Sequence, residues 1–150
     1  MKLLQVLLLL TNVFSIKLFT KIIRTPIYEL DQICMLHHIV LLKETEFDEN
    51  QHEYDDVYAI DFSPINDITD WKIACNMLLG KKVQGKVRLI YFDKTNDEEL
   101  FRESLHNQQT LSTEFIKYFD SELYHKIFNW EPSFQLYNRN CQHFGRYISS

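Results

Sequence analysis

Near the end of the chain stands Tyr137-Asn138-Arg139-Asn140-Cys141-Gln142-His143-Phe144, where a capping amide, a nucleophile and an imidazole fall within four positions. Asparagine is a favoured N-cap, so Asn140 predicts a helix beginning at Cys141. The positive end of that helix dipole would face the sulfur and favour thiolate over thiol. Thiolate is the nucleophilic form of cysteine, so the placement suits covalent catalysis; it suits a buried structural cysteine as well. Thiol catalysis further requires an imidazole within hydrogen-bond reach and a third polar group to orient it.

Six histidines compete for that role. His143 lies two residues along the same helix as Cys141 and points about 200° away, which removes it as a ready base. His52 belongs to an acidic segment, and His106 and His125 fall on expected helix surfaces; all three read as solvated. His37 and His38 differ, because they interrupt the apolar run Ile33-Cys34-Met35-Leu36-His37-His38-Ile39-Val40-Leu41-Leu42, where an unpaired imidazole is costly to bury. Neighbouring strand residues face opposite sides, so one of the two can face a cysteine packed on the sheet. A satisfied core or surface histidine is the alternative for each. Asp61 interrupts Val57-Tyr58-Ala59-Ile60-Asp61-Phe62 in the same way and could hydrogen-bond the histidine facing it.

The elements that must position these residues follow from periodicity. Residues 33–42 predict a buried strand, 43–56 a solvated acid-rich loop, and 57–62 a second strand ended by Pro64. Helical spacing from Ile65 to Leu79 stops at Gly80, a plausible C-cap residue. Residues 86–92 alternate as a third strand, with 93–97 as its turn. Residues 98–107 and 112–128 carry helical spacing, with Ser112-Thr113-Glu114 and Asp120-Ser121-Glu122 acceptable as helix starts. Pro132 breaks the chain, and 133–137 leads extended into the cysteine helix.

A chain of 150 residues with 45 % apolar and 14 % aromatic content is one folded domain's worth. Net charge is −5 and no basic run exceeds Lys81-Lys82, which argues against a nucleic-acid partner. Three cysteines, Cys34, Cys75 and Cys141, are too few and scattered for a disulfide framework or a paired zinc motif. In an oxidising compartment a Cys34–Cys75 pairing would leave Cys141 as thiol. Met1-Lys2 followed by the apolar run Leu3–Ile16 predicts a signal peptide or membrane anchor over residues 1–16. Lys17, Lys21 and Arg24 follow closely, as they would after a signal-anchor. A helix of the domain is the alternative. With three glycines, no phosphate-cradling loop is built, and no cofactor is implied.

The order of histidine strand, polar strand and late cysteine helix resembles the circularly permuted papain-like fold, and specifically the LRAT-like (lecithin:retinol acyltransferase-like) family. Asn140-Cys141-Gln142-His143-Phe144 is similar to that family's Asn-Cys-Glu-His-Phe box, and Phe134-Gln135-Leu136-Tyr137-Asn138 to the segment preceding it. His37-His38-Ile39-Val40-Leu41 resembles the family's His-aromatic-Gly-Ile-Tyr strand, and Ala59-Ile60-Asp61-Phe62-Ser63 the strand carrying its third polar residue. Ile39 stands where a small residue is usual, Gln142 where glutamate is, and Asp61 where histidine is. The resemblance spans about residues 25–148 and implies an α+β domain over 25–150, a small antiparallel sheet packed against helices.

It also implies a catalytic Cys141, a base His37 and an orienting Asp61, with helix-start amides for the oxyanion. The expected chemistry is acyl transfer or hydrolysis of lipid acyl esters through a thioester, by a secreted or membrane-associated protein, with membrane association through the N-terminal segment. Cysteine peptidase or amidase activity on the same fold is the alternative, since a triad does not encode the acyl donor. A non-catalytic binding module is another reading, and a zinc site from Cys141, His37 and Asp61 a third.

Overall fold

The structure is a computed structural model that describes residues 17–25, 37–65, 70–96 and 110–150. The expected leader or anchor over 1–16, Cys34, the first residues of the predicted 33–42 strand and the predicted 98–107 helix lie outside the described residues.

The architecture is α+β. A curled antiparallel sheet runs in the order β1 (Phe19–Thr25), β2 (His37–Lys43), β3 (Glu53–Pro64), β4 (Val83–Asn96) and β5 (Ser133–Phe134). Helix α1 (Trp71–Leu78) connects β3 to β4. A 3-10 helix (Thr113–Tyr118) and α2 (Ser121–Asn129) lie between β4 and β5, and α3 (Cys141–Ser149) ends the chain.

Strand β2 is buried from His38 to Leu42, as its near-continuous apolar sequence requires of a strand covered on both faces. The cores of β3 and β4 match the sequence expectation, but both strands run further. Glu53–Asp55, within the predicted loop, and Lys94–Asn96, within the predicted turn, pair with one another as the far part of a ribbon that continues to Pro64↔Gly85. Mutual backbone pairing overrides the low strand propensity of the acids there. Strand β1 is not among the predicted elements. It aligns Phe19–Thr25 against Lys43–His37 and places Ile22 and Ile23 on opposite sheet faces.

Each helix start has a chemical cause. Asp70 accepts from the Lys72 amide at the start of α1, and the helix ends at Gly80, whose φ of 73° is the left-handed conformation glycine adopts freely. The predicted 112–128 helix is broken in two, with Ser112 capping the 3-10 turn and Asp120 capping α2. Buried Asp120 also accepts from the Leu18 amide at 3.0 Å, pinning the lead-in to β1 against α2.

Alternation divides the core in two. Val40, Leu42, Ile60, Phe62 and Leu89 pack on one face with Phe144 and Ile148 of α3 and Leu123 and Ile127 of α2. Ile39, Leu41, Val57, Ala59, Ile90 and Phe92 form a second cluster on the other face. Gly85 is fixed by that packing: a Cβ there would lie 2.5 Å from Cζ of Phe62.

Candidate active site

Three segments converge on one end of the sheet. The delivery of Cys141 begins with a tight turn in which Gln135 and Arg139 exchange both backbone hydrogen bonds. That turn is tied to the end of α1, where Gln135 Nε2 donates to the Gly80 carbonyl at 2.7 Å and the Tyr137 hydroxyl donates to the Leu78 carbonyl at 2.8 Å. The Arg139 guanidinium stacks on Trp130 at 4.0 Å, and Trp130 packs edge-on against Phe62 and Phe144.

Asn140 then starts α3. Its Oδ1 accepts from the amides of Gln142 at 2.9 Å and His143 at 3.3 Å, while its Nδ2 donates to the Leu136 carbonyl at 2.7 Å. The His143 ring closes a capping box on Asn140, so this histidine is engaged with its own helix start and not with the sulfur. Because the Gln142 and His143 amides are given to Asn140, they do not point at an oxyanion; the expectation of helix-start donors is corrected for these two.

Cys141, the first residue of α3, is buried and its Sγ accepts from the His38 backbone amide at 3.5 Å. His37, the first residue of β2, hydrogen-bonds the Cys141 side chain and, through Nε2, Asp61 Oδ2 at 2.7 Å. With Nε2 committed to the carboxylate, Nδ1 is the ring nitrogen left for the sulfur. All three residues singled out from sequence therefore meet.

The body of α3 covers the face shared by His38, Val40 and Ile22, with Gly145 against them. His37, Asp61 and Arg88 share the opposite face by register. His37 reaches Cys141 because both are terminal residues, meeting where β2 begins and α3 begins, beyond the helix body. The His38 ring is buried beneath α3, and its Nδ1 has no hydrogen-bond partner among the described residues. Burial lowers its pKa, with Arg24 and Arg146 acting in the same direction, so His38 is held neutral.

Arg88 is the residue the sequence reading did not single out. It stands opposite Asp61 in the β3–β4 register, is buried, and grips the carboxylate through Nε–Oδ1 at 2.9 Å and a terminal guanidinium nitrogen to Oδ2 at 2.5 Å. Such a two-point guanidinium–carboxylate pair fixes the carboxylate plane as well as its charge. Burial opposes ionisation of Asp61, but the bonds and charges of His37 and Arg88 outweigh it and hold the carboxyl below its usual range. Burial likewise opposes charging of His37, whose side chain is 19 % exposed. Asp61 and Cys141 overcome it and push His37 up to about 9. An imidazole at that value carries a proton at neutral pH.

Among the described residues, no group of three His, Cys, Asp or Glu side chains is arranged to hold a metal ion. The groups of the zinc reading are engaged with one another and with Arg88: both Asp61 oxygens accept from Arg88, and His37 Nε2 is bonded to Asp61. Cys75 is an exposed thiol outside any disulfide. No described helix is long and apolar enough to cross a membrane. The chain matches no protein-family model, no curated protein and no solved structure.

Proposed function

We propose that the chain is a cysteine-dependent acyltransferase or hydrolase with an LRAT-like, circularly permuted papain-like arrangement, acting on acyl esters of lipids. The observation that carries this reading is the line Cys141–His37–Asp61, in which one imidazole is bonded to a sulfur at a helix N-terminus and to a buried carboxylate.

In the first step the Cys141 thiolate attacks the ester carbonyl carbon and a C–S bond forms. The tetrahedral oxyanion collapses, the C–O bond breaks, and the His37 proton goes to the departing alkoxide. In the second step His37 takes a proton from water or an acceptor hydroxyl as that oxygen attacks the thioester. The C–S bond then breaks and the thiolate is restored. Asp61 holds His37 in the tautomer that presents Nδ1 and stabilises the imidazolium; Arg88 keeps Asp61 in place. The N-terminal apolar segment fits a secreted or membrane-associated enzyme that meets its lipid at a surface.

Incubation with a phospholipid in vesicles, followed by intact-protein mass spectrometry, tests the scheme. An acyl adduct on Cys141 that is lost in Cys141→Ala and strongly reduced in His37→Ala is the expected result. Turnover undiminished in Cys141→Ala sinks the proposal. An adduct formed from peptide or amide donors but not from lipid esters transfers the mechanism to the amidase alternative.

A further inference from the structure

The far end of the sheet carries a second concavity that the acyl-transfer reading does not use. From His37 to Lys43 the strand runs six residues, about 20 Å at the usual rise, and beside Leu42 and Lys43 opens a cleft of about 470 Å³. That volume lies in the range of small-molecule sites. Its walls are aromatic. Tyr58 and Tyr91, paired across β3 and β4, have ring centroids 5.1 Å apart. Phe115 of the 3-10 helix sits 5.6 Å from Tyr58 and 4.7 Å from Phe119. Tyr91 and Phe115 are exposed, so the aromatic wall is open to solvent.

The rim is acidic. Among the described residues, Glu44, Asp55 and Asp56 line the cleft together with Lys43, whose ammonium lies over the Phe47 ring at 5.3 Å. Asp56 holds a positive φ of 51°, unusual for a residue other than glycine, and in that conformation accepts from the Tyr91 hydroxyl at 2.6 Å. A carboxylate is thereby fixed at the edge of an aromatic wall. Burial raises the Tyr58 phenol pKa, and the charges of Glu44 and Asp56 act in the same direction.

Aromatic faces attract a cation through the ring quadrupole, and carboxylates at the rim add to the attraction while repelling anions. We infer that the cleft formed by Tyr58, Tyr91, Phe115 and Phe119, rimmed by Glu44, Asp55 and Asp56, binds a small organic cation of the quaternary or alkylated ammonium class. The apolar floor of Leu18, Leu42 and Ile116 accommodates the alkyl groups of such a cation. The site is independent of the Cys141 chemistry.

Heteronuclear NMR titration of the full chain tests the inference, using choline, its neutral carbon isostere 3,3-dimethylbutan-1-ol, and phosphocholine. Choline should shift the resonances of Tyr58, Tyr91 and Phe115 and bind about tenfold tighter than the isostere. Phosphocholine, which brings a phosphate to the acidic rim, should bind more weakly than choline. Phe115→Leu keeps the apolar volume but removes a π-face, and Asp56→Asn keeps a residue that tolerates positive φ; each should weaken choline and leave the isostere unchanged. Equal binding of choline and isostere, tighter binding of phosphocholine, shifts confined to other regions, or no shift at tens of millimolar choline would each overturn the assignment.

Discussion

At one end of β2, part-buried His37 and buried Asp61, Arg88 and Cys141 form a line in which each polar group has a named partner. At the other end, Tyr58, Tyr91 and Phe115 surround an open cleft, and the charged groups beside them stand in solvent. The same strands build both ends. What separates them is dielectric: burial makes every pairing at the first end indispensable, because a group that loses its partner there cannot turn to water. At the second end water replaces any lost partner, so substitutions there change recognition with little effect on folding.

Removing Asp61 should therefore have the largest effect. Asp61→Ala leaves Arg88 buried without a counter-charge and His37 without its orienting partner, and should cost about 3–5 kcal/mol in denaturant unfolding. Converting the pair together, Asp61→Leu with Arg88→Met, should recover most of that stability while leaving the proposed acyl transfer abolished. Recovery of stability without activity assigns the ion pair to positioning His37; failure to recover stability would mean the pair holds β3 to β4.

The pH dependence at this end has a definite sign. His37 rises from 6.5 to about 9 on folding, so it contributes stability in full below about 6.5 and loses it as pH rises through about 9. Asp61 is shifted the other way and contributes stability above the usual carboxylate range, lost as pH falls through its depressed value. Wild-type stability should fall relative to His37→Gln between pH 6.5 and 9, and an NMR titration of the His37 ring should show its midpoint near the upper limit. A midpoint at 6.5 would break the contrast, because it would make His37 behave like a solvated histidine.

The two ends also differ in how legible they were before the fold was known. Cys141, His37 and Asp61 stood out because each violates an apolar pattern or occupies a helix start, and both are local signals. Arg88 did not, because within Lys86-Val87-Arg88-Leu89 it reads as an alternating solvent-facing residue. Only the register Asp61↔Arg88 turns it inward, and register is a property of two strands. The aromatic cleft was invisible for a related reason. Phe115 and Phe119 carry helical spacing and read as core, whereas Asp120 caps a new helix and leaves a 3-10 turn that brings Phe115 over Tyr58. Strand β1 was obscured by the apolar leader pattern and the basic residues that follow it.

Packing near the charged end offers a smaller perturbation. Gly85 pairs with Pro64 at the end of the β3–β4 ribbon, and a methyl group there meets Phe62 at 2.5 Å. Gly85→Ala should cost about 1–3 kcal/mol, the range for overpacking a well-filled core. Phe62→Leu in the same chain should restore part of it by removing the clashing ring edge. A further step down, Asn140→Ala removes the acceptor of the Gln142 and His143 amides and should cost about 1 kcal/mol, as loss of an N-cap does. It should also slow alkylation of Cys141, since the helix end would no longer be held at the sulfur.

The smallest effect belongs to the open end. Tyr91→Phe deletes the hydroxyl that donates to Asp56 but keeps the ring against Tyr58. The bond is solvent-exposed, so water replaces it and thermal unfolding should change by no more than about 0.5 kcal/mol. Alkylation of Cys141 should be unchanged, because about 20 Å of strand separates the two ends. A loss of stability approaching that of Gly85→Ala would show that the Tyr91–Asp56 bond supports the left-handed backbone at Asp56. The aromatic end would then share the interdependence of the buried one.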